Sequence, residues 1–150
     1  MNLRKGGTTH PFLTLQFLTD GAYDWEAGVF ITLGDKHKSF IASDKVHSPL
    51  FRAFTPDDLF DIVARHGLHF DQTRQIGVVF HMLGALGECG RMGLTAVGNS
   101  AAEADAIQDR AVAVLEEEAQ AAVRPNPVPQ PPPSSSAVRT DGASASDPRR

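Results

Sequence analysis

The sequence has 150 residues but only one cysteine, Cys89, together with one tryptophan and one tyrosine. A single cysteine cannot form an internal disulfide, and such low cysteine usage is typical of proteins from the reducing cytoplasm. Cys89 has no second cysteine and no obvious base beside it in the sequence. This setting favours a structural or surface thiol over a catalytic nucleophile.

Basic residues are not in excess, because 14 Lys and Arg are set against 18 Asp and Glu, which gives a net charge of −4. A general nucleic-acid-binding protein would show a basic face, so the composition argues against a nucleic-acid partner. The longest apolar runs fall well short of the ~20 residues that span a bilayer. The N-terminus also lacks the apolar core of a signal peptide. We therefore expect one cytoplasmic globular domain without a membrane partner.

The first residues of the chain are dense in groups that bind phosphate and metal ions. Asn2 offers a carbonyl oxygen of the kind that Mg²⁺ accepts as a ligand. Arg4 offers a planar fork for phosphate or carboxylate, and Lys5 adds a compact positive charge. The paired glycines Gly6 and Gly7 let the backbone approach a ligand closely. Together these residues predict an anion-binding segment.

A helix start follows this segment directly. Thr8 or Thr9 suits the helix cap, and Pro11 suits the first helical position. The N–H groups exposed at such a start, next to His10, favour an anion. From the residues alone, a basic turn followed by a capped helix is the preferred interpretation, since short motifs often match by chance.

A resemblance to a known family gives these residues a more definite meaning. Asn2-Leu3-Arg4 with the following Gly-Gly-Thr-Thr-His-Pro-Phe resembles the end of an ATP-grasp domain. Further blocks are similar to the C-terminal domain of ATP-grasp peptide ligases (carboxylate-amine ligases) of the pheganomycin-biosynthesis type. These blocks are residues 17–21, 55–59, 66–71 and 77–84, so the likeness extends from about Asn2 to Glu118.

The resemblance implies ATP and Mg²⁺ as cofactors and an amide-forming reaction through an acyl phosphate. Asn2 would be the metal ligand, and Arg4 would be the catalytic contact to the acyl phosphate. Arg4, Lys5, Thr9 and His10 would form part of the phosphate-binding wall. The substrate would be an amino acid or a peptide.

One departure from the family pattern is evident. The family places a metal-binding glutamate two positions before the asparagine, where Met1 leaves no room, and its ATP-binding elements also lie upstream. We therefore expect an incomplete ligase that is inactive alone and needs N-terminal ATP-grasp domains, from the same operon or missing from this chain, as partner. The alternative is a stand-alone, non-catalytic α+β interaction module.

The fold predicted from pattern and resemblance is α+β, with a small antiparallel sheet of two hairpins covered by about three helices. Residues 1–122 would form the ATP-grasp ligase-like domain, and residues 123–150, which are rich in Pro and Ser, a disordered tail. Helices are predicted after the helix starts near Thr9, Thr55 and Ser100.

Strands are predicted over residues 29–33, 38–43, 75–83 and 92–97. Residues 20–24 are predicted to be a turn and residues 43–49 a loop. In the second helix, Leu59, Phe60, Ile62 and Val63 are expected to be buried. The acidic run at residues 116–118 predicts fraying of the last helix. No metal site is predicted at His66, His69 and His81, because no Cys or carboxylate residues lie at the sequence spacing that would complete a ligand set.

Overall fold

The structure is a computed structural model that describes residues 9–27, 29–32, 34 and 36–124. Five strands and four helices are found in this part of the chain. In chain order these are α1 (Thr9–Thr19), β1 (Ala22–Asp24), β2 (Val29–Ile31), β3 (His37–His47), α2 (Pro56–Arg65), β4 (Gly77–His81), α3 (Leu86–Cys89), β5 (Arg91–Gly98) and α4 (Ala101–Val123). Short 3-10 turns cover Pro49–Ala53 and Leu83–Ala85. The α+β class is confirmed.

All five strands form one antiparallel sheet in the order β1-β2-β3-β5-β4. The two predicted hairpins, β2–β3 and β4–β5, are both present. They are joined through the long β3–β5 pairing, in which Phe40 lies opposite Val97 and His47 opposite Arg91. Strand β1 was predicted to be a turn, which is wrong, because residues 22–24 pair with β2 along the edge of the sheet.

The first face of the sheet carries the large core. Side chains alternate between the two faces of a strand, and Leu94 and Ala96 of β5 point to the face covered by α2 and α4. The buried residues of this core are Val46, Phe51, Phe54, Leu59, Ile62, Val63, Leu68, Val78, Phe80, Leu86, Met92, Leu94, Ala96, Ala111, Val114, Leu115 and Ala119. Phe60 is not among them, since half of it (51%) is exposed, so its predicted burial is wrong.

The second face of the sheet is covered by α1 over a much smaller core. Leu15 of α1 packs with Phe30 of β2 and Val97 of β5. The C-terminal end of the helix is tied down where the Gln75 side-chain amide donates to the Thr19 carbonyl at 3.4 Å. The helix start predicted near Thr9 is confirmed, although Pro11 is the third helical residue rather than the first.

Helix α4 runs without a break past the acidic run, so the predicted fraying is wrong. The Glu118 carboxylate accepts a hydrogen bond from Arg65 at 3.3 Å and lies 3.0 Å from His66 Nε2. The hydrogen bond with His66, followed by the one from Arg65, lowers the pKa of Glu118. Residues at the C-terminal end of α2 thus compensate one of the acids that would be unfavourable near a helix end. The helix reaches Val123, and the predicted tail lies outside the described residues from 125 onward.

Helix α2 begins at the Thr55 cap that the sequence predicted, and the structure shows that this cap is reciprocal. The Thr55 hydroxyl accepts from the Asp58 N–H at 3.3 Å, and the Asp58 carboxylate accepts from the Thr55 N–H at 2.7 Å. Pro56 fills the first helical position. This cap sets the start of a helix that buries Leu59, Ile62 and Val63.

We predict that Thr55→Ala lowers the free energy of unfolding by about 1 kcal/mol, because it removes the side-chain acceptor of the cap. Urea unfolding of the full chain measures this change. Thr73→Ala, at another exposed threonine, serves as the control and should change the free energy by less than about 0.5 kcal/mol. Equal losses for both variants would contradict the assigned cap.

Candidate functional site

The predicted site residues meet the described part of the chain at the N-terminal turn of α1. Thr9 is half-buried and His10 is exposed in this turn. Asn2, Arg4 and Lys5 lie outside the described residues, so their predicted roles stay predictions. The structure brings Thr9 and His10 to the same end of α1, where each side chain meets a different neighbouring surface.

His10 lies against a histidine that sequence reasoning had set aside. The ring centroids of His10 and His81 are 5.3 Å apart, with the ring planes tilted by 34°. His81 Nε2 lies 2.8 Å from Asp44 Oδ1, and the His81 side chain is only 8% exposed. These three residues, the His10 cluster, join α1, β4 and β3 at one end of the second face.

Two irregularities of the sheet allow this contact. The pairing of β3 with β5 shifts register between Ser43 and Val46, which inserts one extra residue into β3 beside Asp44. Such bulges re-aim side chains and occur often next to functional sites. On β5, Gly93 lies directly opposite His81. A Cβ on Gly93 would come within 2.2 Å of the His81 ring, so the glycine lets the imidazole cross β5 toward Asp44.

Asp44 and His81 were therefore missed as partners of His10. Asp44 was assigned to a loop over residues 43–49, which is wrong because β3 continues to His47. His81 was correctly placed in a buried strand, but its partner is 37 residues away in the sequence. The signal available in the sequence was Gly93, since a glycine inside a buried strand often marks a close approach by another group.

Thr9 and Phe12, on the other side of the same helical turn, line an aromatic cleft. The cleft has a volume of about 410 Å³ and is lined by Thr9, Phe12, Tyr23, Trp25 and Phe40. The Tyr23 and Trp25 rings meet edge to face with centroids 4.7 Å apart. The Phe12 and Trp25 rings are stacked at 6.4 Å. Phe12 also rests edge to face on the buried Phe30 at 6.0 Å, which connects the cleft to the small core.

The outer face of α1, defined by Leu13, Phe17 and Leu18, is apolar and open to solvent. Phe17 is 83% exposed, and two shallow grooves of about 390 and 340 Å³ share Leu13 and Phe17 as lining residues. Helix α1 contains no Asp, Glu, Lys or Arg. Apolar residues of this helix lie both on its buried side, at Leu15, and on its outer face. An exposed apolar face of this kind has the character of an interface.

The far end of the second face is held by a buried lysine. Lys38 of β3 is 2% exposed and donates from Nζ to the Arg74 carbonyl and to Asn99 Oδ1, both at 2.7 Å. Burial, with the nearby positive charge of Lys36, lowers the pKa of Lys38. Both acceptors belong to connecting segments, so Lys38 ties two loops to the sheet and has the geometry of a structural residue.

The described residues contain neither a cluster of metal ligands nor a helix that could span a membrane. Within residues 9–27, 29–32, 34 and 36–124, no group of three or more His, Cys, Asp or Glu side chains is arranged to hold a metal ion. In the same part of the chain, none of the helices combines the length and apolar character needed to cross a bilayer. The predicted metal ligand Asn2 is outside these ranges.

Comparison with known families gives one match. The model of the family described as "PGM1 C-terminal domain" matches residues 58–111, from α2 through β4 and β5 into α4. No curated protein and no solved structure matches the chain. The match makes this region similar to a C-terminal domain of a ligase-like family, and therefore to a part of a larger protein. The matched residues contain most of α2, β4 and β5 and the first half of α4, and they do not reach α1.

We predict that Gly93→Ala disrupts the His10 cluster, because the added methyl group occupies the path of the His81 ring. The expected loss is about 1–3 kcal/mol of unfolding free energy. In a His81→Ala background the same change should cost at least about 1 kcal/mol less, since the clashing ring is gone. Gly84→Ala is the control, because a Cβ there meets nothing within 4 Å. An undiminished cost in the double variant would contradict the assignment.

Proposed function

We propose that this chain is the C-terminal portion of an ATP-grasp carboxylate-amine ligase that joins amino acids or peptides through an acyl phosphate. The match of residues 58–111 to a C-terminal domain of a ligase-like family supports this assignment. The Asn2-Leu3-Arg4 segment, which resembles the end of an ATP-grasp domain, supports it independently, because it lies outside the matched residues. The finer assignment to peptide ligases of the pheganomycin-biosynthesis type is part of the same proposal.

The observation that carries the proposal is the open outer face of α1. Leu13 and Leu18 are half-buried and Phe17 is almost fully exposed on a helix without charged residues. Exposing such a surface is unfavourable in water, and contiguous exposed apolar patches mark interaction sites. In the proposal, the ATP-binding body of the ligase covers this face. The helix begins directly after the segment that contains Asn2 and Arg4, so the same contact would bring that segment to the ATP site.

The residues at the start of α1 fit a supporting role at the phosphates. A hydroxyl from Thr9, an imidazole from His10 and the N–H groups of the first turn can all bind phosphate oxygens. A complete Mg²⁺ ligand set would need carboxylates that the described residues do not bring together. Asn2 would supply one metal ligand, and the body of the ligase would supply the remaining ligands and the adenine pocket.

Bound Mg²⁺-ATP would supply the phosphoryl group that activates the substrate carboxylate. Within this chain, Arg4 would hold the negative charge of the acyl phosphate, with Lys5 adding positive charge beside it. The amine nitrogen then attacks the acyl carbon, so that a C–N bond forms while the C–O bond to phosphate breaks. Phosphate leaves with the bonding electron pair, and the amine releases a proton. Positioning and charge stabilisation account for most of the catalysis in such phosphoryl chemistry.

The outer face of α1 also favours a second candidate, a non-catalytic α+β module that docks onto a partner without contributing to chemistry. The two candidates differ in the role of Arg4. A docking module needs the apolar face of α1, whereas a ligase portion needs both that face and the Arg4 guanidinium.

We predict that Arg4→Ala lowers the turnover of the assembled ligase by about 100-fold or more, because it removes a charge that stabilises the transition state. The ligase is assembled by extending the reading frame upstream of Met1 or by co-expressing a neighbouring ATP-grasp gene. ATP-dependent phosphate release with an amino-acid carboxylate and an amine measures turnover. Arg110→Ala, on the exposed side of α4, is the control. If the assembly forms no amide in the presence of ATP, the ligase assignment is wrong.

We further predict that Phe17→Asp prevents association of this chain with the ligase body, because it places a charge at the centre of the outer face. Phe60→Asp, at a phenylalanine that is 51% exposed on the opposite side of the sheet, should leave association unchanged. Sedimentation velocity of the mixed components measures complex formation. If both variants associate like the native chain, the outer face of α1 is not the contact.

A further inference from the structure

We propose that the aromatic cleft is a binding subsite for one apolar side chain of the ligase substrate, on the residue whose carboxylate is activated. This inference rests on the proposed function and adds to it a substrate class and a place where that substrate is recognised. The cleft is formed by Thr9, Phe12, Tyr23, Trp25 and Phe40.

The chemistry of the cleft selects an apolar group. Four of its five lining residues are aromatic, the fifth contributes a small hydroxyl, and no charged residue of the described chain is among them. Ligand pockets are typically lined in this way, with a few polar groups that fix orientation. The perpendicular Tyr23 and Trp25 rings and the stacked Phe12 ring form walls on different sides. A charged or strongly hydrated group would lose its water shell in this cleft without gaining a partner.

The size of the cleft selects a side chain rather than a protein surface. Its volume of about 410 Å³ lies at the small end of the ~300–1,000 Å³ range of ligand pockets. An amino-acid side chain with part of its backbone is a suitable occupant, whereas a dinucleotide or a helix is too large. The cleft is also open on the Trp25 side, because this residue is 81% exposed, so a ligand can enter without a large movement of the helix.

The walls of the cleft are held in place before a ligand arrives. The Asp24 carboxylate accepts hydrogen bonds from the N–H groups of Glu26 and Ala27 at 2.9 and 3.0 Å, which fixes the turn that carries Trp25. Phe12 is supported from below by Phe30, which is only 2% exposed. Such preorganisation reduces the entropy cost of binding.

The position of the cleft connects it to the proposed reaction. Thr9 lines the cleft and is also the residue at which α1 begins, directly after the segment that contains Arg4. A substrate with its side chain against Phe12 and Trp25 would therefore present its backbone toward the end of α1 from which that segment continues. The cleft and the proposed acyl-phosphate wall then act on the same substrate residue.

Trp25 makes this proposal directly testable, because it is the only tryptophan in the sequence and its fluorescence reports on the cleft alone. The full 150-residue chain is titrated with N-acetyl-L-phenylalanine and N-acetyl-L-leucine, without ATP. We expect a saturable shift of Trp25 emission to shorter wavelength with both compounds. N-acetyl-L-aspartate and adenosine are expected to leave the emission unchanged. Stronger binding of adenosine than of the apolar compounds would overturn the proposal, as would the absence of any saturable shift.

Two variants separate binding in the cleft from non-specific contact. Phe12→Ser removes one wall, and Thr9→Phe fills the cleft from the helix start without opening the core. Each variant should weaken the binding of the apolar compounds by about tenfold or more, which corresponds to about 1.4 kcal/mol of binding free energy. Phe17→Ser, on the same helix but outside the cleft, should have no effect. Unchanged affinity in Thr9→Phe, whose fold is checked by circular dichroism, would overturn the proposal.

The result is distinguishable from a failure of the ligase assignment. Fluorescence binding requires neither ATP nor the ligase body, so it can fail while the Arg4-dependent reaction of the assembled enzyme persists. Binding in the cleft can equally persist when the assembly makes no amide. In that case the apolar subsite belongs to the alternative function, and its assignment to a ligase substrate is overturned.

Discussion

The attachment of α1 to the second face of the sheet is the constraint on which the rest of this structure depends. Leu15, Phe30 and Val97 form the buried core under this helix, while the opposite face is built on seventeen buried residues. Burial of apolar area contributes about 25 cal/mol per Å², so the second face is held far less strongly than the first. Its helix nevertheless lacks charged residues and exposes Phe17. This combination is expected of a surface that is completed by another polypeptide.

The same helix places two different chemistries on either side of its first turn. On one side His10 contacts His81, which the Asp44 carboxylate holds at 2.8 Å. On the other side Thr9 and Phe12 form walls of the aromatic cleft. A β-bulge and an interior glycine lie in the central strands where this contact is made, although each locally interrupts or weakens a sheet. The sheet is thus irregular at the end where the proposed site lies.

The features that could be predicted from the sequence depend mostly on residues close together in the chain. The Thr55 cap and the α4 start at Ser100 depend on residues within four positions of each other, and both were found. The strand over residues 92–97 was identified as the hairpin partner of the preceding buried strand. Predictions failed where distant residues decide the outcome. Asp44 belongs to a strand because Ser43 and Val46, on either side of it, pair with β5. Glu118 stabilises α4 because Arg65 and His66 lie beside it. The contact of His81 with Asp44 could not be inferred without knowing that β5 lies between their strands.

Whether another polypeptide covers α1 is tested by amide hydrogen exchange of this helix in the isolated chain and in the assembled ligase. We predict that amides of residues 12–19 exchange markedly more slowly in the assembly, while amides in the middle of α4, already covered by the large core, exchange at unchanged rates. Equal exchange of α1 in both states would contradict the account, because it would mean that no other polypeptide covers the helix.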